Sequence, residues 1–287
     1  MNFREHQISA GDGLALYVRD YGPKNASSYA SNTVICLGGL TRNSKDFHTL
    51  ADSLSNEYRV LVPDYRGRGR SAYDADWHHY HPRTYVDDIR HMTVALNIHE
   101  FAVVGTSLGG ILGMILGVAM PTSLRGVLMN DVSPEIPTDG LDAILAYMRN
   151  TAPLPHWDAA VSYLKQTFPD FPAETPDDWL RIAQATYREN DDGQLVYDWD
   201  PAIVRGFEEQ DASTIDLWPY FRSLRRVPVL SVRGALSPFV KDDTWRNMRN
   251  LCPGLVTVTV PNVGHAPSLS EENVMPVMNS WLDRCFA

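Results

Sequence analysis

Residues 101–124, FAVVGTSLGGILGMILGVAMPTSL, carry no charged side chain. A run this apolar must leave water, either in the hydrocarbon of a bilayer or in the centre of a protein core. Its length would span a bilayer, and Gly109, Gly113 and Gly117, four residues apart, imitate a transmembrane packing stripe. The punctuation inside the run decides against that placement. Gly105, Thr106, Ser107, Gly109 and Gly110 split it into a short strand, FAVVG, and a helix beginning near Ser107. Small residues at every fourth position let such a helix lie close against a sheet. No membrane span is expected.

Short apolar runs and helical spacings alternate on both sides of this unit. Strands are expected near 3–9 and over 14–22, 33–39, 58–64, 101–105 and 124–131, with helices over 44–55 and 83–98. In the second helix Tyr85, Ile89, Met92 and Leu96 share a face. This alternation predicts an α/β fold with a mostly parallel sheet of eight strands, covered by helices on both faces. The pattern lapses over 134–215, which is rich in Trp, Tyr, Pro and acidic residues and has helical segments near 139–149, 157–167 and 176–189 but no clear buried strand. It resumes with a strand over 227–233, a helix near 241–251, a strand over 255–260 and a closing helix over 270–284. The expected organisation is therefore one core, residues 1–133 and 216–287, interrupted by a helical cap, or lid, at 134–215.

Charge and cysteine usage narrow the partners. The formal net charge is −10, so the chain repels phosphate backbones and nucleic acid is not an expected partner. The three cysteines, Cys36, Cys252 and Cys285, are scattered, with neither a disulfide framework nor zinc spacing, which fits a reducing cytoplasm. The stretch MNFREHQISAGDG has no apolar core of a signal peptide. The histidine-rich run Trp77–His81 matches no common zinc pattern, and neither a metal nor an organic cofactor is expected. A small-molecule substrate is the expected partner, and a homodimer stays open.

Four motifs carry chemistry. Gly105-Thr106-Ser107-Leu108-Gly109 joins a strand to a helix, the context in which a serine is held on a sharp turn at a helix N-terminus. The bland alternative is a serine that merely caps the helix. CLGGLTRNSKDF (36–47) ends a strand in Gly-Gly and opens toward a helix. PDYRGRGRS (63–71) follows the next strand, and its arginines Arg66, Arg68 and Arg70 read as parts of a turn. VPNVGHAPSLSEEN (260–273) delivers His265 to the C-terminal edge of the sheet after the last strand.

Together these motifs resemble those of the α/β-hydrolases, and the resemblance covers the whole core. It implies a serine hydrolase with Ser107 as nucleophile, His265 as general base, and an oxyanion hole made by the backbone N–H groups of Leu40 and Leu108. Serine rather than aspartate at 107 argues against the epoxide hydrolase and dehalogenase branches. Relatives usually carry the triad acid just after the strand at 227–233, but this chain has Ser237 and Pro238 there. Asp242 and Asp243 follow, as ordinary first-turn acids of a helix. The favoured acid is Asp131, at the end of the strand after the Ser107 helix, because parallel strands present their C-termini on one edge. A cap of the loop into the lid is the alternative role for Asp131.

The expected activity is cleavage of a carboxylic ester through an acyl-enzyme. Cleavage of a C–C or amide bond by the same apparatus, or a binding protein that has lost turnover, stays open. Arg42 is a candidate for binding a substrate carboxylate. Trp157, Trp179, Tyr187 and Trp199 are candidates for lining an apolar substrate pocket, although such residues more often pack a cap's own small core.

Overall fold

The computed structural model describes residues 2–22, 32–209 and 215–287. Residues 210–214, assigned above to the end of the cap, lie outside the described residues. The chain opens with β1 (Arg4–Ser9), β2 (Ala15–Tyr21) and β3 (Thr33–Leu37). Then come α1 (His48–Leu54), β4 (Arg59–Pro63), α2 (Pro82–Ala95), β5 (Phe101–Thr106), α3 (Leu108–Ala119) and β6 (Leu124–Asn130). Next are α4 (Thr138–Arg149), α5 (Trp157–Thr167), α6 (Pro176–Thr186), β7 (Tyr187–Glu189), β8 (Leu195–Tyr197), α7 (Ile203–Glu209) and α8 (Trp218–Ser223). The chain closes with β9 (Val229–Gly234), α9 (Asp242–Leu251), β10 (Val256–Val260) and α10 (Met275–Cys285).

Eight strands form one sheet in the order β1-β2-β4-β3-β5-β6-β9-β10. β2 runs antiparallel to β1 and to β4, and the other pairings are parallel. The period-two alternation of strand side chains divides the core into two faces. On one face Ile35, Leu37, Leu61 and Val103 meet Ile89 and Met92 of α2 and Leu112 and Leu116 of α3. On the other face Val34, Cys36, Val60 and Val104 meet Leu50 and Leu54 of α1 and Met278, Trp281 and Leu282 of α10. Burial on both faces is why these strands read as continuous apolar runs. The order of connection reverses between β3 and β5, so their C-termini diverge into the loops that carry Leu40 and Ser107.

Two of the three stripe glycines of α3 face the sheet, whereas Gly117 faces Ser223 and Leu224. A Cβ on Gly109 would overlap the Leu37 carbonyl, and one on Gly113 would stand 2.8 Å from Val127 Cγ1. The helix therefore starts directly on the sheet backbone at Gly109 and packs on the Val127 and Val103 side chains at Gly113. Among the described residues no helix is long and apolar enough to cross a membrane.

Several boundaries differ from those expected, each for a local reason. β3 ends at Leu37 rather than 39, because the Gly38 and Gly39 carbonyls turn away to Tyr65 Oη and the Arg42 N–H. α1 starts only at His48, since Ser44 N–H is bound instead by the Asp64 carboxylate at 2.6 Å. α6 ends at Thr186, where Tyr187 turns extended to begin β7; this two-stranded β7–β8 ribbon is absent from the sequence reading. α10 starts at Met275 because Ser268 and Glu271 close a turn first, with Ser268 N–H donating to Glu271 Oε1 at 2.7 Å.

Arg66 confirms a structural role for the turn after β4. It is 1% exposed, its Nη2 and Nε reach Asp88 at 2.7 and 2.8 Å, and its Nη1 reaches Asp12 at 2.8 Å and Asp74 at 2.6 Å. Burial pushes the Asp88 carboxyl up, while the hydrogen bond from Arg66 holds Asp12 down. Arg66→Met strands a buried carboxylate and is expected to cost about 3–5 kcal/mol in urea unfolding at neutral pH. A carboxyl whose folded pKa lies above its unfolded one recovers stability as pH falls through the folded value. The deficit of Arg66→Met should therefore shrink on acidification, and a loss below about 1 kcal/mol at neutral pH would contradict this account.

Candidate active site

Ser107 stands between β5 and α3 with φ 53° and ψ −117°, in the left-handed region that costs a non-glycine residue energy. Its neighbours explain how it is held. Ser107 N–H donates to Asn130 O at 3.0 Å, and Ser107 O accepts from Gly110 N–H at 2.9 Å and Ile111 N–H at 3.2 Å. A Cβ on Gly105 would overlap the backbone of Gly109, so only glycine permits this approach. The Ser107 side chain makes no capping hydrogen bond to its helix, which removes the helix-cap explanation for the serine. Leu108 opens α3, where N–H groups have no partner within the helix.

The loop after β3 lies against the serine, since a Cβ on Gly39 would be 3.7 Å from Ser107 Cβ. Its three successive carbonyls are all held. Gly38 O accepts from Tyr65 Oη at 3.1 Å, Gly39 O from Arg42 N–H at 3.2 Å, and Leu40 O from Arg68 Nε at 3.0 Å. In a trans peptide the N–H points opposite to the preceding carbonyl. Fixing Gly39 O on Arg42 therefore turns the Leu40 N–H to the other side of the loop.

Asp131 follows β6 with φ 53° and is fully buried. Its Oδ1 accepts from Gly234 N–H at 3.1 Å, and its Oδ2 accepts from Ser237 Oγ and lies 2.6 Å from His265 Nδ1. A carboxylate at that distance requires Nδ1 to carry the proton, which leaves Nε2 as the unprotonated acceptor of the neutral ring. The Phe239 ring packs on the imidazole with centroids 4.3 Å apart. Asn130 ties the edge together, with Nδ2 donating to Thr106 Oγ1 at 3.0 Å and to Pro267 O at 2.9 Å. The stretch at 234–238 that lacks an acid thus supplies an amide and a hydroxyl to an acid from the neighbouring strand. Asp242 and Asp243 begin α9, largely exposed, and pair with Arg233 and Arg246.

The other sequence candidates are held by contacts of their own. Arg42 is in the Leu40 loop, and its guanidinium is bound by Asp46 through Nε and Nη2, both at 2.6 Å, and by Thr186 Oγ1 at 2.7 Å. Trp179 packs within the insertion, beside Phe171 and under the Lys165 ammonium at 5.7 Å. Trp157, partly buried at the start of α5, packs on the large core cluster. Asp12, Asp74 and His79 bring ligand atoms within 4.8 Å of one another, but the Arg66 guanidinium already occupies Asp12 and Asp74. Sequence reasoning did not find Ser237, Tyr65 or Arg68 as partners of the centre. Ser237 had a signal in its position, where an acid is usual; the other two act through long-range contacts that no local pattern encodes.

The sequence profile of the alpha/beta hydrolase family matches residues 34–275. The chain is 32% identical over 243 residues to the 3-hydroxybutyrate-oligomer hydrolase of Cupriavidus necator, covering 82% of this chain and 83% of the relative. It is 30% identical over 251 residues to the 2-(acetamidomethylene)succinate hydrolase of Mesorhizobium japonicum, covering 85% and 86%. A crystal structure of an alpha/beta hydrolase from Novosphingobium aromaticivorans superposes with a TM-score of 0.91 at 34% identity over 99% of both chains.

Ser237→Ala removes a donor from a buried carboxylate. Hydrogen bonds to charged groups contribute about 1.5–3 kcal/mol, so unfolding stability should fall by that amount, while Ser237→Thr should retain most of it. Chemical denaturation of the two variants checks this, and equal stability of Ser237→Ala and wild type would refute it.

Proposed function

This chain belongs to the alpha/beta hydrolase family, and on that premise we propose that it is a serine hydrolase that cleaves a carboxylic ester through an acyl-enzyme. Ser107 Oγ attacks the carbonyl, and His265 Nε2 takes its proton and later returns it to the leaving alcohol. Asp131 holds the imidazole in the required tautomer and stabilises its charged form. The N–H groups of Leu40 and Leu108 receive the developing oxyanion. Water then attacks the acyl-enzyme with the same histidine as base. The observation that carries this reading is the 2.6 Å pairing of His265 Nδ1 with the fully buried Asp131 carboxylate. The insertion at 134–215 acts as a lid over the substrate.

Ester chemistry is supported by the Cupriavidus necator relative, since a hydroxy acid condenses with itself through ester bonds. The Mesorhizobium japonicum relative, named for an acetamido compound, favours an amide bond as the second reading. Both names denote carboxylic acids, which supports an acidic substrate here.

Hydrolysis of p-nitrophenyl butyrate by wild type, Ser107→Ala and Asp131→Asn tests the assignment. Both variants should lose roughly a thousandfold or more in kcat. Near-normal turnover by Asp131→Asn would remove Asp131 as the acid. Stoichiometric acylation of wild type without turnover would instead support a binding protein of hydrolase fold.

A further inference from the structure

The loop that carries His265 is clasped from two directions. On the core side, Leu236 N–H donates to Val263 O at 2.9 Å and Ala235 N–H donates to Val260 O at 2.8 Å. A Cβ on Gly234 would overlap the carbonyls of Val263 and Gly264, so this loop lies directly on the end of β9. On the other side stands the turn between α5 and α6. Asp170 O accepts the Gly264 N–H at 2.8 Å. Gly264 is buried, and a Cβ on it would stand 2.9 Å from Asp170 Cβ and 3.4 Å from Asp170 O. The insertion thus bonds the residue immediately before His265.

A second contact reaches the imidazole itself. The Phe239 ring packs on the His265 ring with centroids 4.3 Å apart. Against Phe239 lies α4, where a Cβ on Gly140 would stand 2.5 and 2.6 Å from Phe239 Cε1 and Cζ. Any larger residue at 140 would displace the ring. The Phe239 backbone is held by two hydroxyls, its carbonyl by Ser133 Oγ at 3.3 Å and its N–H by Ser237 Oγ at 3.2 Å. The two contacts belong to one packed block of the insertion. Phe168, two residues before Asp170, packs edge-on against Tyr147 of α4 with centroids 5.0 Å apart. Tyr147 packs in turn on Tyr197, which stacks with Tyr187 and Trp199. The Asp170 turn is closed by its own bonds, from Phe171 N–H to Phe168 O at 3.1 Å and from Ala173 N–H to Phe171 O at 2.8 Å. Close-packed groups transmit displacement, so α4 and the Asp170 turn move together.

We propose that the insertion positions the general base: Asp170, through its carbonyl, and Phe239, braced by α4, are positioning residues for His265. The base role of His265 itself rests on the reading under Proposed function. Asp131 fixes the tautomer, but a single hydrogen bond at Nδ1 leaves the ring free to swing about that bond. The Phe239 face blocks the swing, and the Gly264 bond fixes the backbone from which the ring hangs. Proton transfer needs hydrogen-bond reach, and a displacement near 1 Å in such a site lowers the rate about a hundredfold. Ser107 and Asp131 stand at the ends of core strands, so an insertion shifted off the core leaves both in place and displaces only the base. The insertion therefore takes part in the chemistry as well as covering the substrate.

A double-mutant cycle on p-nitrophenyl butyrate hydrolysis tests this, with Gly264→Ala, Asp170→Gly and both together, each assayed where thermal melts show it folded. The alanine methyl presses on Asp170 Cβ and parts the two loops, whereas glycine at 170 removes that atom and keeps the carbonyl. Gly264→Ala should lower kcat about tenfold or more in the wild-type background, with KM changed by less than about twofold, and should cost less than about threefold in the Asp170→Gly background. An alanine at 264 that acts only through its own loop costs the same in both backgrounds, and that result overturns the proposal. Gly140→Ala, which favours the α4 helix itself, should lower kcat in the same way through Phe239. Variants that raise KM and keep kcat would show an insertion acting on substrate alone, and would also overturn it. If wild type does not cleave the ester, the ester reading fails, and the rate of Ser107 phosphonylation by a fluorophosphonate takes the place of kcat, because the serine proton must still pass to His265. The same dependence on residue 170 is expected there. Its absence, or an unreactive wild type, overturns the positioning, whereas ester turnover that shows no such dependence removes the positioning and leaves the ester reading intact.

Discussion

The direct seating of α3 on the sheet is the constraint from which the rest of the centre follows. With glycine at 105 and 109, the helix start approaches the Leu37 carbonyl and the end of β5 within ordinary contact. Any side chain there would push the helix outward and carry Ser107 with it. The positive φ of Ser107 is tolerated because its N–H and carbonyl are bound by Asn130, Gly110 and Ile111. The strain is thus held by the surrounding hydrogen bonds, and the side chain is left without a structural duty.

A second level of organisation concerns what fixes the polar groups around the serine. Asp131 is buried where an isolated carboxylate would be costly, and it is surrounded by the Gly234 amide, the Ser237 hydroxyl and the His265 ring. The loop after β9 therefore keeps a role even without an acid of its own. The loop after β3 is held in the same manner, by donors to each of its carbonyls. In both places the local geometry is fixed by neighbouring hydrogen-bond donors.

The core was legible in the sequence because its signals are local. Uncharged strands between helical spacings gave the sheet, and Gly-x-Ser-x-Gly after Val103-Val104 gave the turn that carries Ser107. The pairing of Asp131 with His265 was inferable from sheet topology, since parallel strands end on one edge, although 134 residues separate the two. The β7–β8 ribbon was not legible: its strands have three residues each, too few for an alternation to register. Arg68 was read with Arg66 and Arg70 as turn chemistry. Arg66 fits that reading with three carboxylates, whereas Arg68 differs from it only through contacts to Leu40, Tyr85 and Trp199, which lie far away in sequence.

The insertion is also bonded to the β3 loop along a single seam. Arg42 reaches Thr186, Asn43 reaches Ala185 O and Asp198, and Lys45 reaches Gln184 O and Asp198. Loop and insertion are consequently coupled mechanically. Transplanting the segment from a relative with different residues at 184–186 and 198 would free Asn43 and Lys45 and slacken the backbone next to Leu40. The border of the mechanically coupled unit therefore lies inside the core, at residues 42–45, rather than at the ends of the insertion.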